Sequence, residues 1–220
     1  MNITQRHDNL FDSTWALIRV LYYFLALPCL LLLALATLVG IFGNTMVRVD
    51  GSYYLFSLLI WAGIVIPLGS RRFSIISRRR QLEKMVALLT SDARFSPRKQ
   101  HQIMNAGQGK YLGIDIRTGN ILYIHMVKRG LVDVIGLTMR DWTERELEGS
   151  TLRINTRNPE VPVLSINAHP IVTKELFSTL GAMSHNSFAE PFPNEPWPLH
   201  VGIQSRFVEF EHNVVVPQVI

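Results

Sequence analysis

The chain has 220 residues, 48% hydrophobic and 18% charged, with a net charge of +5. That apolar excess excludes a disordered chain, and a single cysteine excludes a disulfide scaffold. The positive charge is local: Arg71 to Gln100 holds nine Lys or Arg against Glu83 and Asp92, a net of +7 that leaves −2 for the rest.

The first segment, residues 1–19, lacks the basic start, short apolar run and small-residue cleavage site of a secretory signal, and is expected to stay on the protein as a cytoplasmic tail. Ser13 or Thr14 is placed to cap a helix that begins near Trp15, with Asp12 at its positive end.

Residues 20–70 read as a transmembrane hairpin. Two charge-free apolar segments, Val20 to Gly43 and Tyr53 to Leu68, flank the short link NTMVRVDGS. A bilayer core of about 30 Å takes about 20 helical residues, so the first segment spans it with some tilt. Fourteen of its residues are Leu, Ile, Val or Phe. They favour insertion by roughly 4–8 kcal/mol, which outweighs the hydrogen bond lost at Pro28. Tyr53 and Tyr54 suit an interfacial anchor for the second segment. The absence of any polar face argues against two core helices of a soluble protein. Cys29, among leucines, reads as packing, and Ala36, Gly40 and Gly63 are small enough to let a second helix approach.

Residues 71–107 read as a basic, helical juxtamembrane linker. Arg71, Arg72, Arg78, Arg79, Arg80 and Lys84 form a membrane-surface cluster, each worth about 1 kcal/mol against anionic headgroups. Positive charge retained on the cytoplasmic side places everything after Ser70, and hence the N-terminus, in the cytoplasm. The same rule accounts for the arginines without nucleic acid, since no aromatic platform or recognition helix accompanies them. Leu82, Met85, Val86 and Leu89 continue a helical spacing, and Ser96-Pro97 predicts a further short helix through about Asn105, which NAGQG breaks.

Within residues 108–185 the period becomes strand-like. YLGIDIRTGNILYIHMV predicts two strands around Thr118-Gly119-Asn120, with Gly and Asn supplying positive φ. LVDVIGLTMRDWTERELEG adds one or two more, with Val132, Val134, Trp142 and Leu147 inward. STLRINTRNPEVPVLSIN predicts a hairpin turned at Asn158-Pro159, with Leu152, Ile154, Val163 and Ile166 in the core. His169-Pro170 ends the last strand, and a helix follows with Ile171, Leu176, Leu180 and Met183 near one face. A small antiparallel sheet closed by a helix resembles pleckstrin-homology-like (PH-like) domains in its order of elements, although fold does not decide function. Residues 186–220 form a proline-rich extension: an extended first half, then Val201, Ile203, Phe207, Phe210 and Val214 to Val216 in rough alternation, read as an added strand. Trp197, between two prolines, is expected to pack back on its own domain. The fold class is thus an α+β membrane protein: a two-helix hairpin, then a cytoplasmic PH-like antiparallel β domain with a C-terminal helix.

No catalytic, cofactor or metal site emerges. The seven histidines include no pair at metal-ligand spacing, and no phosphate-binding glycine loop, nucleophile elbow or H-E-x-x-H occurs. The acids Asp141, Glu144, Glu146 and Glu148, interleaved with Arg140 and Arg145, read as solvated strand edges. No enzyme is expected.

The hairpin followed by SRRFSIISRRR, then KYLGIDIRTGNILYIH and LRINTRNPEVPVLSI ahead of a short helix, resembles the Exc-type (ExcA-like) exclusion proteins of I-type conjugative plasmids over nearly the whole chain. The resemblance implies a multi-pass protein of the bacterial inner membrane that blocks redundant DNA transfer into a recipient. It implies as partner a donor-encoded conjugation membrane protein, TraY-like; membrane lipids, held by the basic cluster, and a homo-oligomer are the other expected partners, with no nucleic acid. Partner-contact residues are not assigned by it. A membrane-tethered PH-like scaffold for phospholipid or a cytoplasmic protein, and exclusion of superinfecting phage, share the architecture.

Overall fold

A computed structural model describes residues 17–18, 20–42, 51–128, 130–186, 188 and 195–217. The expected cap at Ser13 or Thr14, most of the interhelical link and residues 189–194 of the proline-rich stretch lie outside these. The chain divides into two compact units, Met1–Phe73 and Ser74–Ile220.

The first unit contains α1 (Leu27–Phe42) and the first part of α2 (Gly51–Leu89), both in helices long and apolar enough to cross a membrane. Pro28 has no N–H to offer the carbonyl of Phe24. The turn before it, Tyr22–Ala26, is accordingly wound wide, as a π-helix whose following Leu27 N–H reaches Tyr22 O. Ala34 of α1 packs with Ile60 and Ile64 of α2, and Thr37 and Ser57 are buried as well. Gly40 lies against the Tyr53 ring with no room for a Cβ, and Gly63 faces Leu30 at ordinary contact distance. Ala36 and Cys29 are exposed instead, so of the small residues noted only Gly40 and Gly63 face the other helix, and Cys29 does not pack. The Tyr53 hydroxyl donates to Thr37 O at 3.0 Å, and the Tyr22 hydroxyl to Gly63 O at 2.7 Å.

The second unit begins with the end of α2, which continues unbroken from the apolar segment to Leu89. The predicted helix after Ser96-Pro97 is replaced by a single 3₁₀ turn, Lys99–His101, and a strand, β1 (Gln102–Asn105). Its backbone pairs with β2 (Lys110–Asp115), and this ladder outweighs the local helix-start signal. With β3 (Asn120–Lys128) and β4 (Leu131–Leu137) these strands form an antiparallel sheet in the order β1-β2-β3-β4. A second antiparallel sheet has the order β5 (Trp142–Glu148), β6 (Thr151–Thr156), β7 (Val163–Asn167). In the β2–β3 turn Gly119 takes φ +75°, whereas Asn120 is already in the strand, where its side-chain amide donates to Arg94 O at 2.9 Å.

Two helices follow, α3 (Pro170–Met183) and α4 (Trp197–His212). Leu164 and Thr173 occupy the buried positions expected of Val163 and Ile171, which are exposed. The larger correction is α4, where an extended segment and a strand were expected. Pro196 and Pro198 are compatible with a helix start because the first helical N–H groups have no partner anyway. Asn213 ends the helix in the left-handed region at φ 49°. Among the described residues the tail adds a one-residue bridge, Val215 beside Leu131.

The four-stranded sheet is covered on both faces, which is why α4 is needed. Leu112, Ile114, Ile121 and Tyr123 join a core with β5–β7 and α3. Tyr111, Leu122, Ile124 and Val132 join another with the end of α2, Phe95 and α4. Strands buried on both faces read as near-continuous apolar runs, as YLGIDI and ILYI do. Trp197 is 2% exposed, stacks on Phe95 with ring centroids 5.2 Å apart, and donates its indole N–H to Ile121 O at 2.9 Å. It therefore packs on its own domain, as the sequence suggested.

Candidate partner-binding surfaces

The six basic residues of the predicted cluster all lie on α2 and all are exposed, but they do not form one patch. At 3.6 residues per turn, Arg71 and Arg78 fall on the line of Leu82 and Leu89, Arg72 and Arg79 on one flank, and Arg80 and Lys84 far round the helix. Arg71 sits over the Tyr23 ring, 5.2 Å from its centroid, and Arg79 pairs with Glu83 at 2.9 Å. Arg78 donates to Gly107 O at 3.4 Å. Such a collar around a helix carries positive charge but no shaped recognition surface.

The outer face of α4 is a second surface. Leu199, Ile203, Phe207 and Phe210 recur at helical spacing and are 47–91% exposed. Trp197, Val201, Ser205 and Val208 recur the same way on the buried side.

A third surface, missed by the sequence reading, lies between β5 and α3. Trp142 pairs with Thr156 and Glu144 with Asn155, so Thr143 is an extra residue, a bulge in β5. Without it Trp142 and Arg145, three positions apart, would point to opposite faces; the bulge brings both to the face shared with Leu147. Their cross-strand neighbours on that face include the buried Ile154 and Leu152. Arg145 is therefore an inward-directed, half-buried cation, not part of a solvated edge. Its guanidinium lies 4.5 Å from the centroid of the Phe177 ring and packs against Gly181, where a Cβ would collide with it. An open cleft of about 420 Å³ is lined there by Met139, Trp142, Glu144, Arg145, Phe177 and Ser184, among others.

Beside the cleft lie two enclosed donors without acceptors among the described residues. The Trp142 indole N–H and Arg145 Nε are both enclosed and unpartnered among the described residues. A buried donor left without a partner costs about 1–3 kcal/mol. Among the described residues no carboxylate pairs with Arg145: Glu148 pairs with Arg153 at 2.8 Å, Glu146 accepts from Asn155, and Glu144, although it lines the cleft, forms no ion pair with it. The signal legible in sequence was only the TERELE alternation, which does not reveal a bulge.

The family model described as exclusion-determining protein matches residues 4–220. The chain belongs to that family. No curated relative and no solved structure matches it. As an exclusion-determining protein it has an exclusion function, and its two long apolar helices fit membrane association.

Proposed function

We propose that this exclusion-determining protein is a two-span inner-membrane protein, with both termini cytoplasmic, that blocks redundant conjugative transfer by binding a donor-encoded, TraY-like membrane protein. The match over residues 4–220 is the observation that carries the reading. The apolar helices supply the anchor, and the collar from Arg71 to Lys84 holds the C-terminal unit on the cytoplasmic side. Four strands, then three strands, then a helix is the order of elements in PH-like domains, and it supports treating the C-terminal unit as a binding module. The function is recognition without catalysis, and nucleic acid is not the ligand.

The test is a mating. The chain is expressed alone in recipients, and transfer is compared between a donor carrying an I-type plasmid and one carrying an unrelated plasmid. A large fall for the I-type donor alone is expected. Equal transfer from both removes the conjugation reading, and resistance to a phage instead assigns exclusion to phage entering the cell.

A further inference from the structure

We propose that the cleft between β5 and α3 is a peptide-binding site, which takes an extended segment carrying a carboxylate for Arg145 and an apolar side chain for the floor formed by Met139 and Phe177. Its place as the recognition site for the donor component rests on the exclusion reading; its existence as a site does not.

Four observations converge. Arg145 is held in one position by Phe177 beneath it and Gly181 beside it, with no carboxylate partner among the described residues. A planar guanidinium fixed in this way, with its charge unanswered, suits a carboxylate better than a neutral group. Trp142, 7% exposed, gives the same lining an aromatic wall, with its unpartnered indole N–H enclosed behind it. β5 is an outer strand of its sheet, paired only with β6 among the described strands, so its other edge carries backbone groups aligned for an added strand. The cleft is open and about 420 Å³ in volume, which fits side chains of a segment lying along that edge rather than an enclosed small molecule. An extended segment projects side chains at i and i+2 to one face, so its carboxylate and apolar residue should be two apart.

The probe is a phage-displayed library of random seven-residue peptides, selected on the full-length chain in lipid nanodiscs. Enriched peptides are then synthesised and titrated against the wild type and three variants. Arg145→Gln removes the cation. Gly181→Ala keeps Arg145 but places a methyl where its guanidinium lies, at a helical position where alanine is a better helix former than glycine. Arg153→Gln removes an arginine from the opposite face and serves as control. Expected are peptides with Asp or Glu two residues from a Leu, Ile or Phe. Their affinity should fall roughly 10- to 100-fold with Arg145→Gln and with Gly181→Ala, fall similarly when their acid becomes an amide, and hold with Arg153→Gln. Thermal melts establish that each variant is folded, and an unfolded Arg145→Gln leaves the decision to Gly181→Ala. Failure to enrich any peptide, enrichment of peptides without a carboxylate, or equal affinity for wild type and Gly181→Ala overturns the proposal. Peptide affinity is read without conjugation, so failure of the cleft and failure of the exclusion reading are separate results.

Discussion

The Tyr22 hydroxyl donates to the carbonyl oxygen of Gly63, and Gly63 is the residue four before Pro67, whose missing N–H would otherwise bond that same carbonyl. A side chain on one helix thus repairs a backbone defect in the other. In an apolar surrounding this carbonyl has no water to turn to. Tyr22→Phe should destabilise the hairpin by about 1–3 kcal/mol. In Pro67→Ala, which restores the N–H, the same substitution should cost much less. Unfolding of the four combinations by SDS titration, followed by circular dichroism, measures the coupling.

Trp197 and Gly136 meet at the α4–sheet contact. Trp197→Ala removes a buried aromatic ring and leaves Ile121 O without the indole, a loss of about 3–5 kcal/mol. Gly136→Ala acts from the other side, since its Cβ would press on Val201 at 2.6 Å, and should cost about 1–3 kcal/mol. Both appear as lower midpoints in denaturant titrations of the C-terminal unit's signal in the full chain.

Burial holds the Tyr111 phenol well above its usual pKa, and its hydroxyl donates to Gln102 Oε1 at 3.1 Å. The folded state keeps a proton that the unfolded state releases near pH 10. Tyr111 therefore contributes no pH dependence below that point and opposes folding above it. Stability should fall by up to about 1.4 kcal/mol per pH unit above pH 10 through this group. Tyr111→Phe should flatten that slope in alkaline denaturation series.

In the proposed topology the collar of charge sets the orientation. A reporter active only outside the cytoplasm should work when fused after Val47 and fail after Gly107. Replacing Arg71, Arg72, Arg78, Arg79, Arg80 and Lys84 by Gln should bring a measurable fraction of the Gly107 fusion to the outside. Replacing only Arg72, Arg80 and Lys84 should leave exclusion specificity intact in matings, because these side chains hold no shaped surface together.

The elements the sequence revealed best are those whose pattern is set locally. The apolar helices, the Gly119 turn, the hairpin at Asn158-Pro159 and the start of α3 at Pro170 each carry their own signal. β1 was hidden because Gln102–Asn105 is a strand only by pairing with β2. α4 was hidden because apolar residues occupy both its faces, so that Val201, Ile203 and Phe207 mimic alternation while belonging to opposite sides. Arg145 was hidden because one inserted residue, Thr143, reverses the facing of everything before it in the strand.

A sheet covered on both sides also bears on how related exclusion proteins can diverge. Trp197, Val201 and Val208 are committed to the sheet and to Gly136, so a tail borrowed from a relative arrives with its own half of a fitted contact. Exchanging whole tails to transplant specificity would mix loss of folding with change of partner. The outward positions Leu199, Ile203, Phe207 and Phe210 carry no such obligation. They are where descent is free to drift, and where a chimera can be built without disturbing the domain beneath.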